Sequence, residues 1–153
     1  MTGRDEQPDE HTPTEPAPDY LEAVRAMGDG AMLEHMGLEL HEVSPTRVVG
    51  SIPVERNTQP YGLLHGGASV ALAETLGSYG SALHAGRDRV AVGIEINATH
   101  HRAASSGRVT GVATPIQLGR TLASWEVVVS DDQGRRVCTA RITCLLRDAV
   151  PGQ

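Results

Sequence analysis

The stretch that most constrains this chain runs from Gly66 to Ala85, its longest helical pattern. Leu72, Leu76, Tyr79 and Leu83 recur there at i, i+4, i+7 and i+11, which predicts one buried stripe. Gly86 supplies the stop. At ~100° per residue, Glu74 falls about 200° round from Leu72. It shares that face with Val70, Ala71, Gly77, Ser78 and Ser81. Small residues on a helix face let a backbone or a ligand come close, and the carboxylate sits in their midst.

Strand patterns surround this helix. Residues 20–36 read as a short broken helix, with Asp19 as N-cap and Gly28 and Gly30 as the interruption. Two strands follow, Leu38–Val43 and Arg47–Val54, joined by the Ser44-Pro45-Thr46 turn. After the helix, Val90, Val92, Ile94, Ile96 and Ala98 alternate with their neighbours. Then come Arg108–Leu118, Leu122–Ser130 with Trp125, Val127 and Val129 on one face, and Arg135–Arg147 behind an Asp131-Asp132-Gln133-Gly134 turn. Short connections predict that these last four strands are antiparallel neighbours. The class is α+β, a sheet packed on one long helix.

The domain spans residues 20–148, with tails at 1–19 and 149–153. Residues 1–19 hold six acidic residues, one Arg and four of the nine Pro, the composition of a disordered acidic tail. The tail carries net charge −5 of the total −6, so the domain is nearly neutral. An acidic chain without a basic stripe is not a nucleic-acid binder. No run approaches ~18 consecutive apolar residues, and the N-terminus lacks the apolar stretch of a secretory signal. A cytoplasmic protein is expected. Phe is absent, so the core must be mainly aliphatic. Cys138 and Cys144 lie six residues apart in one strand, about 20 Å at ~3.3 Å per residue. That is beyond disulfide reach, and they read as buried thiols.

Chemistry gathers at the long helix. Its first amides, at Gly66 and Gly67, offer N–H donors to a carbonyl that develops negative charge. Two turns along the same side, Glu74 can act as nucleophile or general base. Gln59 on the preceding loop can orient water or substrate, and Ser78 lies at i+4 from Glu74. Taken singly, each has a bland reading. A helix Glu is usually solvated, His65 can merely stiffen the loop or cap the helix, and paired glycines can serve packing. His100-His101 lacks a zinc-ligand spacing, and adjacent strand residues point to opposite faces, so no metal is expected. Ser105-Ser106-Gly107 sits between strands with no helix after it, which argues against a serine nucleophile.

Together these residues carry a resemblance. The run from Asn57 to Ser78, with Gly93–Arg102 and Pro115–Gly119, resembles the hotdog-fold thioesterases of the phenylacetate-pathway type. It looks most similar to the 1,4-dihydroxy-2-naphthoyl-CoA and 4-hydroxybenzoyl-CoA enzymes. The resemblance implies a curved antiparallel sheet wrapped around the long helix. It implies sheet-to-sheet dimers that pair into homotetramers, with active sites shared between two subunits. Hydrolysis of an aromatic acyl-CoA is implied, naphthoyl-, hydroxybenzoyl- or phenylacetyl-CoA; the first would place the enzyme in menaquinone biosynthesis. The thioester is substrate and no cofactor is implied. By the same resemblance Glu74 is the catalytic carboxylate, with Gln59, His65, Gly66 and Ser78 in support. Gly67, His100, Arg102, Arg120 and Thr121 become candidates for binding CoA or the thioester carbonyl. From the residues themselves, Tyr61 and the small residues near Glu74 can shape an acyl pocket, as can Tyr79, which fits the buried stripe equally well. His101 stands where close relatives carry an apolar residue. Two other readings stay open, a hotdog dehydratase or hydratase and a non-catalytic acyl-CoA-binding module.

Overall fold

The computed structural model describes residues 18–28 and 30–149. Most of the acidic tail, residues 1–17, and the C-terminal residues 150–153 lie outside them. Two short helices, α1 (Tyr20–Met27) and α2 (Gly30–Met36), lead into strands β1 (Glu39–Ser44) and β2 (Arg47–Pro53). The long helix α3 (Gly66–Ala85) follows, then β3 (Arg89–His100), β4 (Arg108–Leu118), β5 (Leu122–Asp131) and β6 (Arg136–Asp148).

Local signals place the boundaries. Asp19 accepts a hydrogen bond from the Glu22 amide at 3.0 Å, the expected N-cap. Gly28 and Gly30 adopt φ of 76° and 74°, a region closed to most side chains, which breaks α1 from α2. At the β5–β6 hairpin, Asp131 accepts from the amides of Gln133 and Arg135.

The six strands form one antiparallel sheet in the order β1-β2-β4-β5-β6-β3. This corrects one expectation: β3 and β4 are not neighbours. β4 pairs with β2, while β3 crosses to the far edge and pairs with β6 along its whole length, from Arg89↔Asp148 to His100↔Cys138. Residues 101–107 between them have no hairpin turn. They run past the start of α3, where the Leu64 amide donates to the Ala104 carbonyl. The helix has to be covered, and this connection carries the chain across it.

The core lies between α3 and the concave side of the sheet. Leu72 and Leu76 are fully buried against Trp125, Val127, Val109 and Ile142. Gly77 and Gly80 permit this contact, since a Cβ at either would strike Ile142 or the Trp125 ring. Two assignments on the helix therefore change. Gly77 and Ser81 face the sheet rather than a ligand. Tyr79 fills both places the sequence offers it: it is partly buried against the core and also lines the cavity beside Glu74. The helix is covered on most sides, so small residues serve packing on one flank and leave space on another.

Candidate active site

The loop before α3 is folded tightly. A bridge joins Thr58 and Leu64, the Gln59 amide donates to the Leu63 carbonyl, and Gly62 makes the bend at φ 73°. Asn57 anchors the loop base through Nδ2, which donates to the carbonyls of Met36 and Pro53. His65 ends the loop as the helix N-cap, its Nδ1 accepting from the Gly67 amide at 2.9 Å.

That bond sharpens the expectation for the paired glycines. The Gly67 N–H already donates to the His65 ring in this structure. Gly66 N–H, the first amide of the helix, has no hydrogen-bond partner among the described residues. A Cβ at Gly66 would lie 2.9 Å from His100 Nε2, so glycine is needed for the ring to sit there. Gln59, Gly66, His100, His101 and Arg102 line one cavity of about 400 Å³. His101 is also tied back to the sheet by a 2.9 Å bond between its Nε2 and the Thr139 hydroxyl.

Glu74 is elsewhere. Eight residues along α3 from Gly66, it stands about 12 Å away at ~1.5 Å per residue. Its carboxylate opens on two spaces. On one side is a cavity of about 690 Å³, open to solvent, walled by α2 and by Ala71, Thr75, Ser78 and Tyr79 of α3. On the other is a shallow groove against the β3 edge, formed by Gly93, Ile94, Ile96 and Ile142. Glu74 Oε1 lies 3.2 Å from where a Cβ at Gly93 would be.

In one chain the expected site residues thus fall into two separate groups. Gly66, Gln59, His100 and Arg102 line one cavity; Glu74 and Ser78 line another. Arg120 and Thr121 join neither. They sit in the β4–β5 turn at the far end of the helix, where His84 Nε2 donates to the Gly119 carbonyl at 2.9 Å and the Thr121 carbonyl accepts from Leu146. Tyr61 stands out from the loop, 86% exposed. Sequence reasoning missed the α2 wall and Gly93. An isolated Gly inside an alternating strand was the signal for the second. Among the described residues no cluster of His, Cys, Asp and Glu could hold a metal ion, and no helix is long and apolar enough to cross a membrane.

Comparison with known proteins agrees with this architecture. The family model described as Thioesterase superfamily matches residues 61–138. Proofreading thioesterase EntH of Cronobacter turicensis is 48% identical over 124 residues, which cover 80% of this chain and 90% of that protein. Its counterpart in Klebsiella pneumoniae is 47% identical over 123 residues, with the same coverage. Among solved structures, the Haemophilus influenzae thioesterase HI1161 superimposes with a TM-score of 0.81 at 35% identity, over 87% of this chain and 94% of that one. The Pseudomonas aeruginosa thioesterase PA1618 gives 0.79 at 40% identity, over 88% and 97%. With its sheet curved over one 20-residue helix and its sequence matched over most of its length, the chain belongs to the thioesterase superfamily, as a thioester hydrolase of hotdog fold.

Proposed function

We propose that the protein hydrolyses an aromatic acyl-CoA thioester to the free acid and CoA, with Glu74 as the reacting carboxylate. The observation that carries this reading is the position of Glu74. It is an exposed carboxylate in the middle of the long helix, on the wall of a chamber large enough for a bulky acyl group. The thioester carbonyl accepts from Gly66 N–H at the positive end of the helix, where charge developing on oxygen is stabilised. Gln59 orients the carbonyl or the water, and His65 holds the turn through Gly67. Glu74 then adds to the carbonyl carbon, or takes a proton from the water that does. The C–S bond breaks and CoA leaves as thiolate, a good leaving group that needs no strong acid. If Glu74 itself adds, water hydrolyses the mixed anhydride and restores the carboxylate.

A Glu74 about 12 Å from its own Gly66 cannot do this within one chain. We therefore read the enzyme as a homodimer, paired again into a homotetramer, in which one subunit supplies Gly66, Gln59 and His65 and the other Glu74 and Ser78. The open β3 edge supports this, with Val92 and Ile94 exposed on it and Ile94 sharing a groove with Glu74. His100 and Arg102 then meet the CoA moiety, Arg102 as a phosphate ligand. Arg120 and Thr121, remote from Gly66 in their own chain, reach the nucleotide only from a neighbouring subunit. The relatives' description as proofreading thioesterases fits an enzyme that clears unwanted acyl esters, and two free, buried cysteines fit a reducing cytoplasm. The test is thiol release from benzoyl-CoA and straight-chain acyl-CoAs by the wild-type protein and by Glu74→Ala. Release by the first and its loss in a folded variant are expected; full turnover by Glu74→Ala rejects the assignment.

A further inference from the structure

The chamber beside Glu74 has a wall that the catalytic residues do not provide. Helix α2 forms it, through Gly30, Ala31, Met32 and Leu33. Its two ends are held differently. At the C-terminal end the Leu38 amide donates to the Leu33 carbonyl, Asn57 Nδ2 donates to the Met36 carbonyl, and Met36 is buried. At the other end, Gly28 and Gly30 adopt left-handed φ with open space where their Cβ atoms would be. Beyond them α1 is fixed again, by buried Val24 and by Arg25, whose guanidinium donates to the Leu40 carbonyl at 2.9 Å.

The first turn of α2 is therefore held from both sides and lines the same cavity as Glu74. On it Met32 is 65% exposed, a large unbranched side chain facing a cavity rather than the core. Its position opposite the carboxylate matters more than its exposure. On the dimer reading, the amide-bearing loop of the other subunit brings the carbonyl to Glu74 across the outer edge of β3, which has no strand partner among the described residues. The rest of the acyl group is then directed away from that edge, into the chamber under α2. A thioether with three rotatable bonds adapts to differently shaped acyl groups.

We infer that α2 is the specificity wall of the enzyme, and that Met32, backed by Leu33, sets the largest acyl group the chamber accepts. This rests on the thioesterase reading and on Glu74 as its reacting group. Met32 makes no contribution to the chemistry and is exposed, so replacing it should leave folding intact. The experiment compares wild-type, Met32→Ala and Met32→Trp proteins by thiol release from butyryl-, octanoyl-, palmitoyl- and benzoyl-CoA. In Met32→Trp, kcat/KM for the longest ester that the wild type turns over should fall at least fivefold relative to butyryl-CoA. In Met32→Ala the same ratio should rise. Ratios unchanged within twofold in both variants, with turnover intact, overturn the wall and leave the thioesterase reading standing. No thiol release by the wild-type protein from any ester brings down that reading, and the wall with it.

Discussion

Glu74 of α3 and Gly93 of β3 meet where the helix passes the edge of the sheet, and a methyl group at Gly93 would stand 3.2 Å from Glu74 Oε1. Gly93 lies at a register shift in the β3–β6 pairing, between Gly93 and Glu95, so the strand bulges where the carboxylate needs room. Gly93→Val should push the carboxylate aside. Because Gly93 is exposed, the fold should persist while kcat falls on the order of ten- to a hundredfold. Thiol-release kinetics alongside a melting curve separate the two effects, and unchanged kcat would show that Glu74 has freedom to spare.

The distance along α3 gives a second prediction. If Gly66 and Glu74 act from different subunits, Gln59→Ala and Glu74→Ala proteins should each be nearly inactive alone yet recover when subunits are exchanged. Random mixing restores one intact site in each mixed dimer, about a quarter of the wild-type sites. Partial denaturation, remixing and a rate assay read the outcome. No recovery, despite mixed dimers seen by mass spectrometry, would place each site within one chain.

His65 offers a direct measurement of capping. Its Nδ1 satisfies the Gly67 amide, so His65→Ala should cost about 0.5–2 kcal/mol of stability. Asn at the same position can accept the same bond and should recover most of it. Urea unfolding of the three proteins decides the matter. If Asn restores stability without restoring turnover, the imidazole has a second task beside the cap.

Particular residues show why much of this was legible in the sequence. Gly86 and Asp19 act through bonds within a few residues, so the C-terminal end of α3 and the start of α1 could be read directly. Trp125, Val127 and Val129 alternate on a strand, and period two fixes their common face. The partner of β3 was not readable, because pairing with β6 is decided by how the chain crosses α3, and no turn residue records that. Gly77 was misplaced for a related reason. A helix wrapped by a sheet buries more than one stripe, and a small residue looks the same whether it admits a ligand or Ile142. The likeness to the thioesterases named Gly66 and Glu74 together; only the structure shows that they line separate cavities in one chain.

The helix–sheet contact should tolerate almost no added volume. A Cβ at Gly77 would run into Ile142, and one at Gly80 into the Trp125 ring, both fully or nearly fully buried. Gly77→Ala and Gly80→Ala would each gain helix propensity, by ~1 kcal/mol in an open helix. Overpacking should exceed that gain, with a net loss of about 1–2 kcal/mol. Chemical denaturation tests this, and a net gain in stability would mean that the sheet moves away from the helix more readily than its packing suggests.

Burial raises the pKa of the Cys138 thiol above its ordinary value, because no solvent remains to stabilise a thiolate. Cys138 should accordingly be inert to a thiol-specific reagent in the native protein and react at once in guanidinium. The same shift predicts a direction for stability with pH. In the unfolded chain the thiol ionises near its ordinary value, about 9.0, while the folded form keeps its proton to higher pH. The unfolded state therefore gains stability first, and the contribution of Cys138 to the fold is lost as pH climbs from that value toward the folded one. Cys138→Ala should weaken the core at neutral pH and flatten this alkaline decline. Urea midpoints compared at pH 7 and pH 10 measure both effects, and an equally steep decline in the variant would assign it to other groups.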